Sequence, residues 1–382
     1  MAFGTANPRI WDIIQECGDA RQGYYGAVNG SVKLTAAEKN AIKKISIENA
    51  EKVIALCEQK NISIYTYNDD KYPSQLRSIF NPPSVLYCDG ILDNSLDAPA
   101  LTVVGTRHPS PYGIFAVEKI SSELSKAGLT IVSGFADGID SAAHRAAIKE
   151  NGRTIAVLGC GIDVDYPRAN SDIRDAVRRN GALISEFLPG TPPLGRNFPV
   201  RNRILSGLSL GVFIAEAPCG SGALITADMA VEQGRDVFCL PPADIFNKNY
   251  QGVIKYLRDG AIPVFSHLDI IYEYYTTFSH KLSSLKPENE YIAALSDSEV
   301  FSQKNPDTDI KNNKTKKIIE KNYDDLSGTQ LTIVKCFSEE QKHIDDIIAE
   351  SGLDAQVVLT ALTDLEISGE IISLPGKRYK LC

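Results

Sequence analysis

The stretch LTIVSGFADGIDSAAHRAAIKENGRTIAVLG, residues 129–159, decides the fold. It opens on LTIVSG (129–134) and closes on TIAVLG (154–159), two short β-rich apolar runs that each end at a glycine. Between them SAAHRAAIKENG (141–152) is helix-like. Strands that are apolar throughout, separated by a helix, predict parallel neighbours covered on both faces. The pattern extends outward in both directions through LTVVG (101–105), ALISE (182–186), LGVFIAEA (210–217) and DVFCLP (236–241), each ending near a Gly, an acid or a Pro. GIFAVEKISSELSKAG (113–128) supplies another helix. Residues 99–275 therefore read as a doubly wound α/β domain with a mostly parallel sheet, whose ligands bind at the carboxyl ends of the strands.

The flanks read differently. Residues 1–70 form a helical N-terminal module: Thr35-Ala-Ala-Glu38 is a capping box, and Ile42, Ile45, Ala50, Val53, Ile54 and Leu56 supply apolar positions to a stretch ending near Lys60. ISIYTY (62–67) alternates like a strand, and 71–98, broken by Pro and Gly, reads as a connector. Residues 276–325 are polar and rich in Lys, Asn and Asp, a flexible linker by composition. In 326–382 three helical segments precede EIISLPGKRYKL, a hairpin turning at Pro375-Gly376, which makes a winged-helix arrangement. Its third helix segment carries Asp354, Asp364 and Glu366 and no Lys or Arg. A helix facing phosphates should be basic, so a protein-contact or structural role is favoured, while Lys377, Arg378 and Lys380 on the wing keep DNA contact open.

Composition narrows the class. The 382 residues are 43% hydrophobic and 23% charged, as in an ordinary globular protein. A formal net charge of −8 repels polyanions in bulk, so nucleic-acid binding would need a local basic site. The eight cysteines are scattered, with no C-x-x-C pair, which favours reduced thiols over zinc or a disulfide frame. The N-terminus lacks the pattern of a signal peptide, and no segment reaches the ~18 apolar residues of a membrane span. A cytoplasmic protein without membrane contact is expected.

The chemistry concentrates at the strand ends. FPVRNRILSGLS (198–209) sets two arginines around an asparagine behind a Phe-Pro pair. No G-x-x-x-x-G-K-[ST] follows any strand, and the dinucleotide pattern begun by Gly159 and Gly161 has Val164 at its third glycine. Asp137, Asp140 and His144, at spacings of three and four, would share a helix face and hold a metal. The simpler account has Asp140 capping the helix, with His144 hydrogen-bonded nearby. Glu186 and Glu216, at strand ends, are candidates for catalytic carboxylates or for orienting Arg201 and Arg203. Ser221, between two glycines, reads as part of a backbone anion nest. Arg107, the Ser133-Gly134 turn, Arg196, Arg201, Asn202, Arg203 and the Ser221-Gly222 turn all follow strands of one sheet, with Phe198 as an aromatic platform. That exceeds the needs of one phosphate and suits a strand of nucleic acid.

At these residues the chain resembles the DprA family, also called Smf, the bacterial DNA-processing proteins of natural transformation. The likeness runs through VVGTRHPSPYG, IVSGFADGIDSAAHRAA, AVLGCGIDVDYPRAN, ALISEF, NFPVRNRILSGLS, EAPCGSGALITADMAVEQGRDVF and DGAIPV. The resemblance implies an extended Rossmann-like core that binds single-stranded DNA, forms a homodimer and helps to load the RecA recombinase, with no cofactor, metal or catalytic residue. It places DNA contacts on Gly105, Thr106 and Arg107, on Ser133 and Gly134, on Phe198, Arg201, Asn202 and Arg203, and on Ser221 and Gly222. Pro242 departs from the family pattern, where a Gly usually follows the Pro after the VFCL strand. The alternative is a Rossmann-like hydrolase of nucleoside monophosphates, but such enzymes carry Pro-Gly-Gly-x-Gly-Thr where this chain has APCGSGALIT (217–226).

Overall fold

The structure, a computed structural model, describes residues 3–92, 99–278, 328–337, 342–368, 370–374 and 378–381. Its contacts divide it into two units, Met1–Ser302 and Gln303–Cys382.

In the first unit the six apolar runs form β3 (Ala100–Val104), β4 (Thr130–Ser133), β5 (Thr154–Val157), β6 (Gly181–Ser185), β7 (Gly211–Ile214) and β8 (Asp236–Cys239). All pair in parallel, and every residue of β3 to β7 is buried, as expected of strands covered on both faces. The sheet extends beyond 99–275 at its start. Strand β1 (Ser63–Thr66) pairs antiparallel with β2 (Val85–Gly90), which pairs antiparallel with β6. The stretch read as a connector thus supplies a sheet strand. With β9 (Ile262–Pro263) the order is β1-β2-β6-β5-β4-β3-β7-β8-β9.

The N-terminal helices are α1 (Arg9–Cys17), α2 (Ala20–Asn29), α3 (Ala36–Ile42) and α4 (Ile47–Gln59). The Thr35–Glu38 capping box opens α3 as expected, but the helical stretch to Lys60 is broken. Asn49 Oδ1 accepts from the Ser46 N–H (2.8 Å) and hydroxyl (3.0 Å), and this second cap starts α4. Helices α5 (Ser74–Arg77), α6 (Pro111–Lys126), α7 (Ile139–Lys149), α8 (Ser171–Asn180), α9 (Asn197–Gly207), α10 (Gly222–Glu232), α11 (Gln251–Arg258) and α12 (His267–Phe278) follow. Leu76 and Ile79 of the α5 region, Leu205 of α9, Ala227 of α10 and Val253 of α11 share one apolar cluster with Val132, Ile155 and Val212. Val117 of α6, Ala143 of α7 and Ile271 of α12 pack with Leu101, Ile131 and Phe213 in another. The sheet is doubly wound, and each fully buried aliphatic side chain contributes about 1.5–3 kcal/mol.

Of the span read as a linker, 276–278 end α12; the rest lies outside the described residues. The second unit has α13 (Gly328–Cys336), α14 (Ile344–Ser351), α15 (Ala355–Ile367) and a small sheet of β10 (Lys342–His343), β11 (Ile371–Leu374) and β12 (Arg378–Leu381) in the order β10-β12-β11. Ile333, Ile347, Val358, Leu362 and Leu365 form its core, a winged helix. Asp364 and Glu366 lie exposed on α15, and Asp354 directly precedes it. The Pro375-Gly376 turn and Lys377 lie outside the described residues.

Gly181 opens β6 where three strands crowd. A Cβ there would run into the Thr154 carbonyl oxygen of β5. Gly181→Ala is expected to destabilise the protein by about 1–3 kcal/mol or more. Urea denaturation checks this, and an unchanged midpoint would contradict the packing.

Candidate nucleic-acid interface

The loop after β4 shows how the strand ends are satisfied. The N–H groups of Gly134 and Ala136 donate to Asp140 Oδ2 (3.1 and 3.3 Å). Phe135 between them has φ 60°, and the Asn170 side chain holds this turn by donating to the carbonyls of Phe135 (3.0 Å) and Ala136 (3.1 Å). The backbone N–H groups of this turn are thus taken by the chain's own carboxylate. Ser133 is buried too, its hydroxyl donating to the Val103 carbonyl (2.6 Å) and tying β4 to β3.

Asp140 does not cap α7 as the sequence suggested. The cap position belongs to Gly138, and Asp140 lies in the first turn, reaching back to the preceding loop. Burial pushes its carboxyl up to about 6, opposed by Arg201, by the two N–H donors and by Arg107. His144 is fully buried as well. Thr154 Oγ1 donates to the Ile131 carbonyl (2.8 Å) and so accepts from His144 Nδ1–H (2.7 Å). Burial, then the Arg201 charge, lowers the imidazole to about 3 and keeps it neutral. Asp137 is exposed, and no group of three His, Cys, Asp or Glu could hold a metal among the described residues.

FPVRNR forms the first turns of α9, and its polar side chains turn inward. Arg201, Asn202 and Arg203 are only 5%, 6% and 8% exposed. Arg201 Nη1 donates to the carbonyls of Gly134 (2.8 Å) and Val157, at the ends of β4 and β5, and Nε donates to Asn202 Oδ1 (3.2 Å). Burial lowers its pKa to about 10, with Asp140 opposing the shift. Asn202 Nδ2 donates to the Gly222 carbonyl (3.1 Å) and fastens α9 to the start of α10. Arg203 pairs with Glu186, beyond β6, at 2.8 Å to each carboxylate oxygen, and its Nε donates to the Asn81 carbonyl (3.0 Å). The trio expected to grip a ligand thus also serves the fold: Arg201 supplies donors to the carbonyls at the ends of β4 and β5, Asn202 to that of Gly222, and Arg203 to that of Asn81 and to Glu186.

What remains open is a shallow pocket lined by Arg107, Gly134, Phe135, Ala136, Asp137, Leu158, Gly159, Cys160, Tyr166, Pro167 and Phe198. Phe198 is half-buried, 5.9 Å from the Tyr166 ring centroid to centroid. The exposed Arg107 guanidinium lies 5.6 Å from the Phe198 centroid, a cation–π distance. Gly105 and Thr106 set that arginine: the Thr106 N–H donates to the Glu216 carbonyl (2.7 Å), and the Thr106 carbonyl accepts from Ile139 (3.3 Å). A Cβ on Gly159 would collide with the Phe198 ring. Ser221 caps α10 through its own hydroxyl and Gly222 is exposed beside it; neither lines the pocket. Arg196, exposed, precedes α9.

Both candidate carboxylates are engaged. Glu216 is fully buried and accepts from the Ser110 N–H (2.9 Å) and hydroxyl and from Tyr250 (2.7 Å). Sequence reasoning missed Tyr166, Asn170 and Arg168, an exposed cation directly after the pocket residue Pro167. The signal was present in YPRAN, an aromatic, a cation and an amide in one Pro-fixed turn.

Comparison with known proteins bears on this geometry. Residues 63–275 match the family model of DNA recombination-mediator protein A, and 320–377 match the DprA winged helix domain. The chain is 36% identical over 326 residues to Protein Smf of Synechocystis sp., covering 85% of this chain and 81% of that one. To DNA processing protein DprA of Bacillus subtilis it is 39% identical over 238 residues, 62% of this chain and 80% of that one. The solved structure of DprA from Streptococcus pneumoniae superposes with a TM-score of 0.62 at 36% identity, over 69% of this chain and 92% of that one. That of Helicobacter pylori DprA, described for its single-stranded DNA binding mode, gives 0.50 at 30% identity, over 56% and 97%.

The two buried titratable groups have opposite effects on stability. His144, lowered from 6.5 to about 3, contributes stability that is present above 6.5 and lost as pH falls toward 3. Asp140, raised from 3.8 to about 6, makes the native state less stable as pH rises from 3.8 through 6. In urea titrations, the stability of wild type relative to His144→Gln should therefore decline on acidification below 6.5. Relative to Asp140→Asn it should decline as pH rises from 3.8 to 6. Differences that do not vary with pH would contradict the assignment.

Proposed function

The chain belongs to the DNA recombination-mediator protein A family, and from that premise we propose that it binds single-stranded DNA across the carboxyl edge of its sheet. The observation that carries the reading is Arg107. It is an exposed cation held against the Phe198 ring at the mouth of a pocket, whereas Arg201 and Arg203 are engaged inside the fold. A cation for phosphate beside a ring for a base is the pairing that single-strand binders use, and a duplex keeps its base faces stacked away from such a ring. Arg168, exposed and directly after the pocket residue Pro167, is a second cation available to the strand.

The contacts assigned from the sequence divide into two sets in this reading. Arg107 and Phe198 touch the strand. Gly105, Thr106, Ser133, Gly134, Arg201, Asn202 and Arg203 shape the surface that presents them, and Ser221 and Gly222 border it through Asn202. The protein acts as a binding protein rather than an enzyme, since Glu186 and Glu216, on which a nucleoside-monophosphate hydrolase would rest, are held by Arg203 and by Ser110 with Tyr250. Delivery of the strand to RecA, a homodimer that joins two clefts, a part in natural transformation and a cytoplasmic location complete the proposal on the strength of family membership. No helix among the described residues is long and apolar enough to cross a membrane.

Arg107→Ala is expected to weaken binding of a labelled oligo-dT and to lower the slope of log affinity against log salt by about 0.7, one phosphate contact on a single strand. A nucleoside monophosphate should not compete. Arg203→Ala should instead cost about 3–5 kcal/mol of folding stability, because Glu186 loses its partner. Fluorescence anisotropy and urea denaturation separate the two effects. Unchanged affinity and slope in Arg107→Ala would overturn the site.

A further inference from the structure

Phe80 is 85% exposed, yet the chain around it is tied down. The next residue, Asn81, has φ 54°; its carbonyl accepts from Arg203 Nε (3.0 Å) and its side chain donates to the Ala6 carbonyl (2.6 Å). The Pro82 carbonyl accepts from Trp11 Nε1 (3.1 Å). On the other side Ile79 is buried, packed in the cluster that contains Leu205 of α9. A single exposed apolar side chain is ordinary on a protein surface. A phenyl ring displayed on a backbone anchored from three directions, two of them outside its own loop, is a better candidate for a contact.

Its place in the fold says with what. Arg203, which holds Asn81, also pairs with Glu186, the residue just beyond the carboxyl end of β6. The cleft lies over the ends of β3, β4 and β5 through Arg107, Gly134 and Gly159, and β6 is the next strand in the sheet. Neighbouring strands are about 4.8 Å apart, so the Phe80 loop continues the same edge by one strand. Phe198 and Arg203 share α9 at five residues' separation, about 7.5 Å along its axis. Arg77, three residues before Phe80, lies over the rings of Tyr67 (5.9 Å) and Tyr72 (5.7 Å) and donates to the carbonyls of Tyr67 (3.2 Å) and Asp69 (2.7 Å), which ties the segment leading to Phe80 to the end of β1.

We propose that Phe80 is a second stacking platform, engaged by a base of the single strand where it leaves the cleft across the end of β6. This rests on the cleft reading above and extends it by a residue that does not line the pocket. The loop is preformed, so the strand is ordered on it without refolding the protein.

The test is anisotropy with two labelled oligo-dT probes, one of about 4 nucleotides, which fills the cleft alone, and one of about 16. Phe80→Ala should weaken binding of the longer probe roughly tenfold, within the range of one lost base–aromatic stack. The salt slope should stay unchanged, because no phosphate contact is removed. Binding of the short probe should be unaffected, and Phe80→Trp should restore the long one. Equal affinity of Phe80→Ala and wild type for the long probe would overturn the proposal, as would an equal loss on both probes. Failure of the cleft reading gives a different pattern: Arg107→Ala would then be neutral on the short probe, or wild type would bind neither. Wild type binding neither would overturn both proposals.

Discussion

The Arg201 guanidinium, buried beneath the carboxyl edge of the sheet, is the interaction on which the rest of the site depends. A parallel sheet ends in carbonyl and N–H groups that its own ladder does not satisfy, and the loops beyond it must supply partners. Here Arg201 reaches the carbonyls that close β4 and β5, while Asp140 takes the N–H groups of the turn after β4. The two charges lower the cost of burying each other, as the opposed influences on their pKa values show. Removing either would leave an uncompensated charge under the loop that forms the pocket floor.

A consequence is that the edge divides into frame and rim. Arg201, Asn202, Arg203, Asp140 and Asn170 hold loops to one another and leave few donors for a ligand. On our proposals, Arg107, Phe198 and Phe80 are what an incoming strand meets. A rigid frame under a small set of exposed contacts suits a polymer gripped by its backbone and bases, because ordering the protein adds little to the cost of binding. The net charge of −8 makes the local placement of each rim cation matter more than it would on a basic protein.

Much of the fold was legible in the sequence because buried parallel strands leave continuous apolar runs, and all six became strands. What was hidden has physical causes. Strand β2 lies between Pro83 and Gly90, whose turn signals mask it, and the break before α4 comes from a second cap at Ser46 inside an apolar pattern that otherwise continues. Of the residues named for the cleft, Arg107, Gly134 and Phe198 line the pocket, and the directions the others take were not legible. Arg201 stands four residues before Leu205, so a helical reading already places it on a core-facing side of α9. A guanidinium that can reach either solvent or a carbonyl gives no such sign in composition. Asn170 and Tyr166 escaped notice because they act on the pocket from a turn with no glycine cradle of its own.

The measurement that tests the account most directly is photo-crosslinking of a halogenated oligo-dT to the full chain, with the adducts mapped by peptide mass spectrometry. Adducts in the segments that carry Tyr166 and Phe198 would place the strand on the carboxyl edge as the account requires. Adducts confined to the winged-helix unit, with none at those segments, would contradict it.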